Sequence, residues 1–479
     1  MTQFRPGAAG VRAAGTAEET AAQAGPPPIG AGQSGRGRAA AWAVLAVIAV
    51  AAVAGTAGAG PAPRWWAAAV VAAVTAVYLA AIVFKLLMVC YGSAGETRLG
   101  ADGTLPDEEL PLYTMLIPLA GTSQRSGTKR SADPVADLIA DMSALDYPAD
   151  RLQVLLLAAD AAEYATAARP THFEIVAVGS PSLAAACAAG LARARGELCV
   201  VYEPRQRPDR GQLRAAASSF SKLPAWVVGV RPETRTENPH ANWLTQYIAA
   251  ESAVRSVLLV RGLDRLQMPV PAGGFSCHYR TDALRRLGAW QDGDLAEGAG
   301  IGVRIARRGW TVRMLASVTG EEVEGRLGHW LRQRAASMRD DYRSWLAQSR
   351  STYRLWRDLG PLRFTAFQLT TALFTFTALV NPLLWLLTAL WLAGGSHPVT
   401  EVFPPAELYA VVAVVLLGNL LTAYSLMIGC MEHGLFAGVR TMLLAPVYVA
   451  LTSVAAYRAL LPINRPEPVR AIVPSAATS

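Results

Sequence analysis

Apolar and polar positions fall into three regimes along the chain. Residues 39–60 and 65–90 are continuous apolar runs, each at least the ~20 residues needed to cross a bilayer as a helix. Between residues 91 and 350 the pattern changes to short β-type runs alternating with helical ones. The strand-like runs are 113–118, 152–157, 173–178, 198–202 and 226–230; residues 134–145, 182–194 and 212–220 carry the helical pattern between them. Such alternation predicts a parallel α/β sheet with crossover helices. Active sites of these sheets lie at the carboxyl ends of the strands, so the strand ending at Tyr202 delivers Glu203 and its neighbours to the expected site. Apolar runs return near 369–392, 408–430 and 441–461.

The flanking segments refine this division. Residues 1–38 are rich in Ala, Gly, Pro, Gln and Arg without periodicity and read as a disordered tail. The first apolar run begins only near Ala39, and no clean cleavage site precedes the next apolar run, which argues against a signal peptide. Trp65 and Trp66 occupy the interface position that aromatics favour. Residues 327–356 interleave Arg332, Arg334, Arg339, Arg343, Arg350 and Arg354 with Trp330, Met338, Tyr342, Trp345 and Trp356. That pattern predicts amphipathic helices at a membrane–water interface over 327–368; a solvated charged face is the alternative. The predicted organisation is a tail (1–38), two transmembrane helices (39–90), an α/β domain (91–326), interface helices (327–368), about three transmembrane helices (369–461) and a second tail (462–479). Arg5, Arg12, Arg36 and Arg38 place the first tail, and with it the α/β domain, in the cytoplasm. The span count puts the C-terminus outside, whereas Arg458, Arg465 and Arg470 favour the inside, so four to six spans stay open, with Pro382 and Pro446 as candidate breaks.

Composition agrees with a membrane protein carrying a soluble domain: 479 residues, 52% hydrophobic, mean hydropathy +0.26. The net charge of +8 is almost all arginine, with Lys85, Lys129 and Lys222 the only lysines. No nucleic-acid-binding motif accompanies it, so membrane lipids rather than RNA or DNA are the expected partner. The alanine and arginine bias suggests a GC-rich bacterial genome. Five scattered cysteines show neither metal-ligand nor disulfide spacing.

The chemistry turns on several ordered motifs. Residues 145–148 read Leu-Asp-Tyr-Pro; 242–245 read Asn-Trp-Leu-Thr, followed by Glu251; 273–281 read Gly-Gly-Phe-Ser-Cys-His-Tyr-Arg-Thr; 286–290 read Arg-Leu-Gly-Ala-Trp. In order and spacing they resemble the membrane-bound family 2 glycosyltransferases, the cellulose-synthase-like processive group, over roughly residues 110–460. The resemblance implies a cytosolic glycosyltransferase-A-like α/β domain inserted between transmembrane helices. It also implies Mg²⁺ or Mn²⁺ held by carboxylates to neutralise a nucleotide diphosphate leaving group, and an Asp as base for the acceptor hydroxyl.

The family's reactive positions are altered in this chain. Glu203 and Gln206 stand where two metal-binding aspartates are expected, flanked by Arg205 and Arg207, and Asp209 falls at the family's non-ligand Pro-Asp position. Ala296, Glu297 and Gly298 replace Thr-Glu-Asp, so the base position, Gly298, has no side chain; Glu297 keeps the family's structural Glu role, and Gly300 replaces the next Asp. Gln333 and Arg334 survive from the Gln-Arg-x-Arg-Trp motif for pyrophosphate and acceptor, but Ala336 and Ser337 replace Arg-Trp. Residues 182–190 lack the Lys and Asn of the nucleotide-reaching turn. The losses concentrate on donor, metal, base and acceptor positions while framework residues persist. The sequence therefore predicts a catalytically deficient, cofactor-free relative in a bacterial plasma membrane, acting as a scaffold or partner of an active family 2 enzyme in polysaccharide synthesis or binding a glycan. Two alternatives stay open. One is an active divergent transferase using Glu203, Asp209, Asp292 or Glu297 with a nucleotide-sugar or lipid-phosphate donor, with Mg²⁺ or Mn²⁺ only in that case. The other is a non-enzymatic polymer transport or assembly protein.

Overall fold

The computed structural model describes residues 64–93, 99, 105–119, 134–160, 169–179, 182–272, 275–291, 294, 299–393, 403 and 405–461. The predicted tails, the apolar run 39–60, Asp292 and residues 296–298 lie outside these.

The α/β domain is built on one eight-stranded sheet of order β3-β2-β1-β4-β7-β6-β8-β5. Its strands are β1 (Tyr113–Pro118), β2 (Leu152–Ala158), β3 (Phe173–Ala177), β4 (Leu198–Val201), β5 (Gln206–Pro208), β6 (Val227–Thr236), β7 (His278–Arg280) and β8 (Thr311–Glu321). The five strand-like runs of the sequence all become strands. The fully parallel sheet needs correction, because β7 runs antiparallel to β4 and β6, and β5 antiparallel to β8. Both reversed strands are three residues long, too short to show a period of two in the sequence.

Strands β1 and β2 are buried throughout, as expected where helices cover both faces of a sheet. Their alternation sorts side chains between two cores. Met115, Ile117, Val154 and Leu156 pack under α2 (Pro134–Ser143) and α4 (Gln212–Lys222). Leu116, Leu155 and Leu157 face α3 (Leu183–Arg193), where Ser182 caps the helix by accepting from the Ala185 N–H at 3.3 Å. The same second core holds Leu284 of α7 (Thr281–Leu287) and Ile301 and Ile305 of α8 (Ala299–Arg307).

Beyond β6 the chain enters α5 (Trp243–Ser252), whose Asn242 and Thr245 form a reciprocal cap. The helix then widens into a π-helical turn, Ala253–Leu259, before α6 (Val260–Arg265). This segment docks on α1 (Arg64–Ser93): a Cβ at Gly92 would run into the Leu258 carbonyl, and one at Gly262 into the Met88 carbonyl. Small residues permit such close backbone approach between helices.

Four helices are long and apolar enough to cross a membrane: Ala68–Ser93, Phe376–Ala393, Pro405–Glu432 and Gly438–Leu460. They belong to α1, α11 (Leu373–Ala393), α12 (Pro405–Glu432) and a 3₁₀ stretch running into α13 (Ala445–Leu460). Pro382 lies inside α11, whereas Pro446 sits in the first turn of α13, where proline fits without breaking a hydrogen bond. The arginine-rich region divides into α9 (Leu327–Ser349) and α10 (Thr352–Phe367), with a further kink at Gly360 (φ +74°). The predicted interface segment 327–368 thus folds as two helices up to Phe367. Part of its apolar stripe meets protein: Trp330 packs with Tyr448, and Met338 belongs to a core with Ala455 and Ala459 of α13. An amphipathic stripe fits a partner helix as readily as a lipid surface.

Candidate functional site

Strand β4 ends at Val201, and Tyr202 and Glu203 leave its carboxyl end, where parallel α/β sheets place their ligands. The floor beneath Glu203 is a buried hydrogen-bond network. The Tyr202 hydroxyl donates to Gln212 Oε1 at 2.7 Å, and Gln212 Nε2 donates to Ser317 Oγ and the Val318 carbonyl, each at 3.0 Å. His278 links Gln212, through Nε2 at 3.3 Å, to the Tyr113 hydroxyl, through Nδ1 at 2.5 Å. The histidine of the family-like 273–281 motif is therefore a core residue that fixes the sheet beneath the site.

Burial pushes His278 down to about 3, so the ring is neutral in the fold. The unfolded chain takes up its proton near 6.5. Because the folded value is depressed, this contribution to stability is complete above pH 6.5 and is lost as pH falls toward 3. At pH 5 the loss is about 2 kcal/mol. His278→Gln, which retains a donor and an acceptor, should flatten this acid limb in denaturation curves taken between pH 7 and 5; an unchanged slope would show that His278 does not govern it.

Glu203 follows β4 and Gln206 opens β5; these are the two positions that the sequence analysis set against the family's metal-binding pair. Glu203 and Gln206 come together: the Glu203 N–H donates to Gln206 Oε1 at 3.2 Å, and Gln206 is buried. The Glu203 carboxylate is already occupied, since Arg205 Nη2 and Nε donate to its Oε1 at 2.8 and 3.3 Å. Arg207 pairs with Asp141 at 2.9 Å. Asp209 accepts from the Val318 N–H at 2.7 Å and from Ser317 Oγ at 3.1 Å, tying the loop after β5 to β8. A divalent cation would have to displace Arg205 and find further anionic oxygens, and among the described residues no group of three or more His, Cys, Asp or Glu side chains is placed to hold one. The donor set around Glu203 does not fit Mg²⁺ or Mn²⁺.

The sequence reading included Glu321 only in a framework match over residues 319–322 and gave it no role. It ends β8 in register with Gln206, and burial, reinforced by the negative charge of Glu203 and opposed by Arg205, pushes its carboxyl up to about 7. A carboxyl of this affinity exchanges protons near neutrality. Only its strand pairing with β5, a contact distant in sequence, brings it to the site.

The segment read as the remnant of the catalytic base is organised around Asp294. Its Oδ2 accepts from the Gln291 N–H at 2.8 Å and is bonded to Arg304, and its side chain is 4% exposed. A Cβ on Gly300 would lie 2.5 Å from Asp294 Oδ1 and 2.6 Å from Ser344 Oγ. The space a side chain at position 300 needs is thus filled. Glu297 and Gly298 lie outside the described residues. Gln333 is exposed on α9, while Arg334 turns inward and bonds to Glu251, whose other oxygen accepts from the Tyr448 hydroxyl at 2.5 Å. Arg334 therefore belongs to the junction of α5, α9 and α13.

Residues 232–457 match the model of Glycosyl transferase family group 2. Over these residues the chain is similar to glycosyltransferase family 2, and four described helices long and apolar enough to cross a membrane support a membrane protein. Among solved structures it is similar to the mannosyltransferase PcManGT from Pyrobaculum calidifontis in complex with GDP-Man and Mn²⁺, with 17% identity and TM-score 0.45 over 80% of this chain and 99% of that one. It is also similar to S. aureus TarS 1–349, with 11% identity and TM-score 0.34 over 70% and 91% of the two chains. The TarS complex with UDP-GlcNAc gives 12% identity and the same TM-score and coverage. No curated protein sequence matches the chain.

Proposed function

We propose that this protein is a family 2 glycosyltransferase-like membrane protein that has lost metal-dependent sugar transfer. In this reading its α/β domain lies on the cytoplasmic side of a bacterial plasma membrane and serves as a partner or scaffold for an active family 2 enzyme in polysaccharide synthesis. The observation that carries it is the Arg205–Glu203 bond: the carboxylate at the first metal position holds a cation supplied by the chain itself. Gly300, closed off by Asp294 and Ser344, points the same way. Calorimetric titration of the purified full chain with UDP-GlcNAc and with GDP-mannose, each with and without Mn²⁺, tests the reading. Mn²⁺ is expected to add nothing to binding; a tight, Mn²⁺-dependent isotherm would overturn it.

Glu321 favours a second reading, a divergent transferase that works without a divalent ion. Arg205 and Arg207 would face the departing diphosphate, and Glu321, half-protonated near pH 7, would take the acceptor proton. Metal-free turnover in the same preparations, abolished by Glu321→Gln with donor binding retained, would select this reading over the first.

A further inference from the structure

Two arginines stack on one indole at the edge of the α/β domain. Arg286 of α7 and Arg308, just after α8, place Cζ 5.3 and 5.5 Å from the ring centroid of Trp310. Each gains a cation–π contact there, but the two like charges repel. Both arginines are exposed, and among the described residues neither has an ion pair. The described charges that bear on Arg308 are Arg304 and Arg286, both positive. The only carboxylates of α7, α8 and α10 are Asp282 and Asp358. Asp282 lies 3.9 Å from Arg285, and Asp358 bonds to Arg307 at 2.7 Å and lies 3.8 Å from Arg357. A third cation, Arg363 of α10, lines a cavity of about 40 Å³ together with Trp226 and Trp310. That cavity is too small to enclose a nucleotide or a sugar, so a group held here stays at the surface.

The patch adjoins the membrane helices. Met268 and Val270, also in the cavity wall, share a core with Met88 of α1 and Ala366 of α10. Met88 lies five residues before the end of the 26-residue span Ala68–Ser93. A helix of that length is about 39 Å long, against about 30 Å of hydrocarbon, which puts Met88 near the boundary with the headgroups. From the same patch α10 runs through a π-helical turn, Gln368–Ala372, into α11, and it exposes Tyr353, Trp356 and Leu362. Trp226, 46% exposed, is held beside Trp310, its carbonyl accepting from the Thr311 N–H at 3.0 Å. Indoles favour the headgroup layer, and guanidiniums pair bidentately with phosphate.

We propose that Arg286, Arg308 and Arg363, set about Trp310 and Trp226, form a docking surface for the phosphate headgroups of anionic membrane lipids, which hold this edge of the α/β domain against the bilayer. The surface is separate from the Glu203 region and stands whether or not that region turns over a donor. The test titrates the full-length protein in uncharged detergent with short-chain phosphatidylglycerol, phosphatidylcholine of the same chain length, inorganic phosphate and hexaglutamate, counting bound species by native mass spectrometry. Phosphatidylglycerol is expected to bind saturably and in preference to phosphatidylcholine, and about ten-fold more weakly in the double variant Arg286→Gln with Arg308→Gln. Arg363→Gln alone is expected to weaken it about three-fold and carries the test should the double variant not fold. Arg169→Gln, which removes an exposed arginine just before the far edge strand β3, is expected to bind as the parent does. Equal binding of the two lipids, parent-like binding by the double variant and by Arg363→Gln, or an equal loss in Arg169→Gln would overturn the proposal. So would displacement of phosphatidylglycerol by equimolar inorganic phosphate or hexaglutamate, which would assign the patch to a soluble phosphate compound or to an acidic protein segment.

Discussion

Arg261→Met should destabilise the protein by about 3–5 kcal/mol, the usual cost of leaving a buried charge without its partner. Arg261 on α6 donates to Glu233 of β6 at 2.6 Å and to Glu432, at the end of α12, also at 2.6 Å. The side chains of Arg261 and Glu233 are each 4% exposed. One guanidinium thus joins the sheet to a membrane helix through two carboxylates, and its planar fork is suited to serving both at once. Methionine fills much of the same volume but removes the cation shared by the buried Glu233 and the partly exposed Glu432. The thermal midpoint of the α/β domain in detergent should fall by roughly 10 °C. Arg261→Lys should fall between parent and Met, because an ammonium cannot reproduce both contacts. In the double variant Arg261→Met with Glu233→Gln, neutralising one of the two carboxylates should restore part of the loss. If Arg261→Met melted with the parent, the junction between sheet and membrane helices would not depend on this triad.

How much the sequence disclosed follows from the range of each interaction. Strands β1 to β4 and β6 were legible because burial on both faces leaves long apolar runs, such as Leu152–Ala158, bounded by polar residues. The membrane helices were legible for the same reason. Strands β5 and β7 were not, because three residues held by neighbours far away in sequence carry no local pattern. At the site, the replacement of the metal-binding pair by Glu203 and Gln206 and the presence of two arginines were visible, but the pairing was not. That Arg205 takes Glu203 while Arg207 takes Asp141 depends on how the chain turns into β5. Asp209 has a structural task on β8 that only strand pairing reveals. The altered proton affinity of Glu321 was not legible, because it arises from burial and from Glu203, over a hundred residues away in the chain.

Restoring the family's aspartate at position 300 should damage the protein without reviving a reaction. Gly300 lies in the first turn of α8, and even the first side-chain carbon would lie 2.5 Å from Asp294 Oδ1 and 2.6 Å from Ser344 Oγ. Overpacking of this kind costs about 1–3 kcal/mol. Asp in particular would bring a second carboxylate against Asp294, which is buried and already bonded to Arg304, and an uncompensated buried charge adds about 3 kcal/mol or more. Gly300→Asp should therefore lose on the order of 4–6 kcal/mol in all and accumulate poorly. Gly300→Ala should show the steric part alone, relieved by adding Ser344→Gly, which removes one of the two oxygens in the way. Gly298→Asp, a carboxylate at the position that the proposed reading gives to the base, should leave sugar transfer absent, because Glu203 remains bonded to Arg205. Wild-type stability of Gly300→Asp would show that the space is open after all. Sugar transfer by Gly298→Asp alone would show that a single carboxylate separates this chain from an active enzyme. Stability loss at 300 together with silence at 298 would mean that the surroundings of the lost aspartates have been rebuilt, so that reversing one substitution no longer recovers the ancestral chemistry.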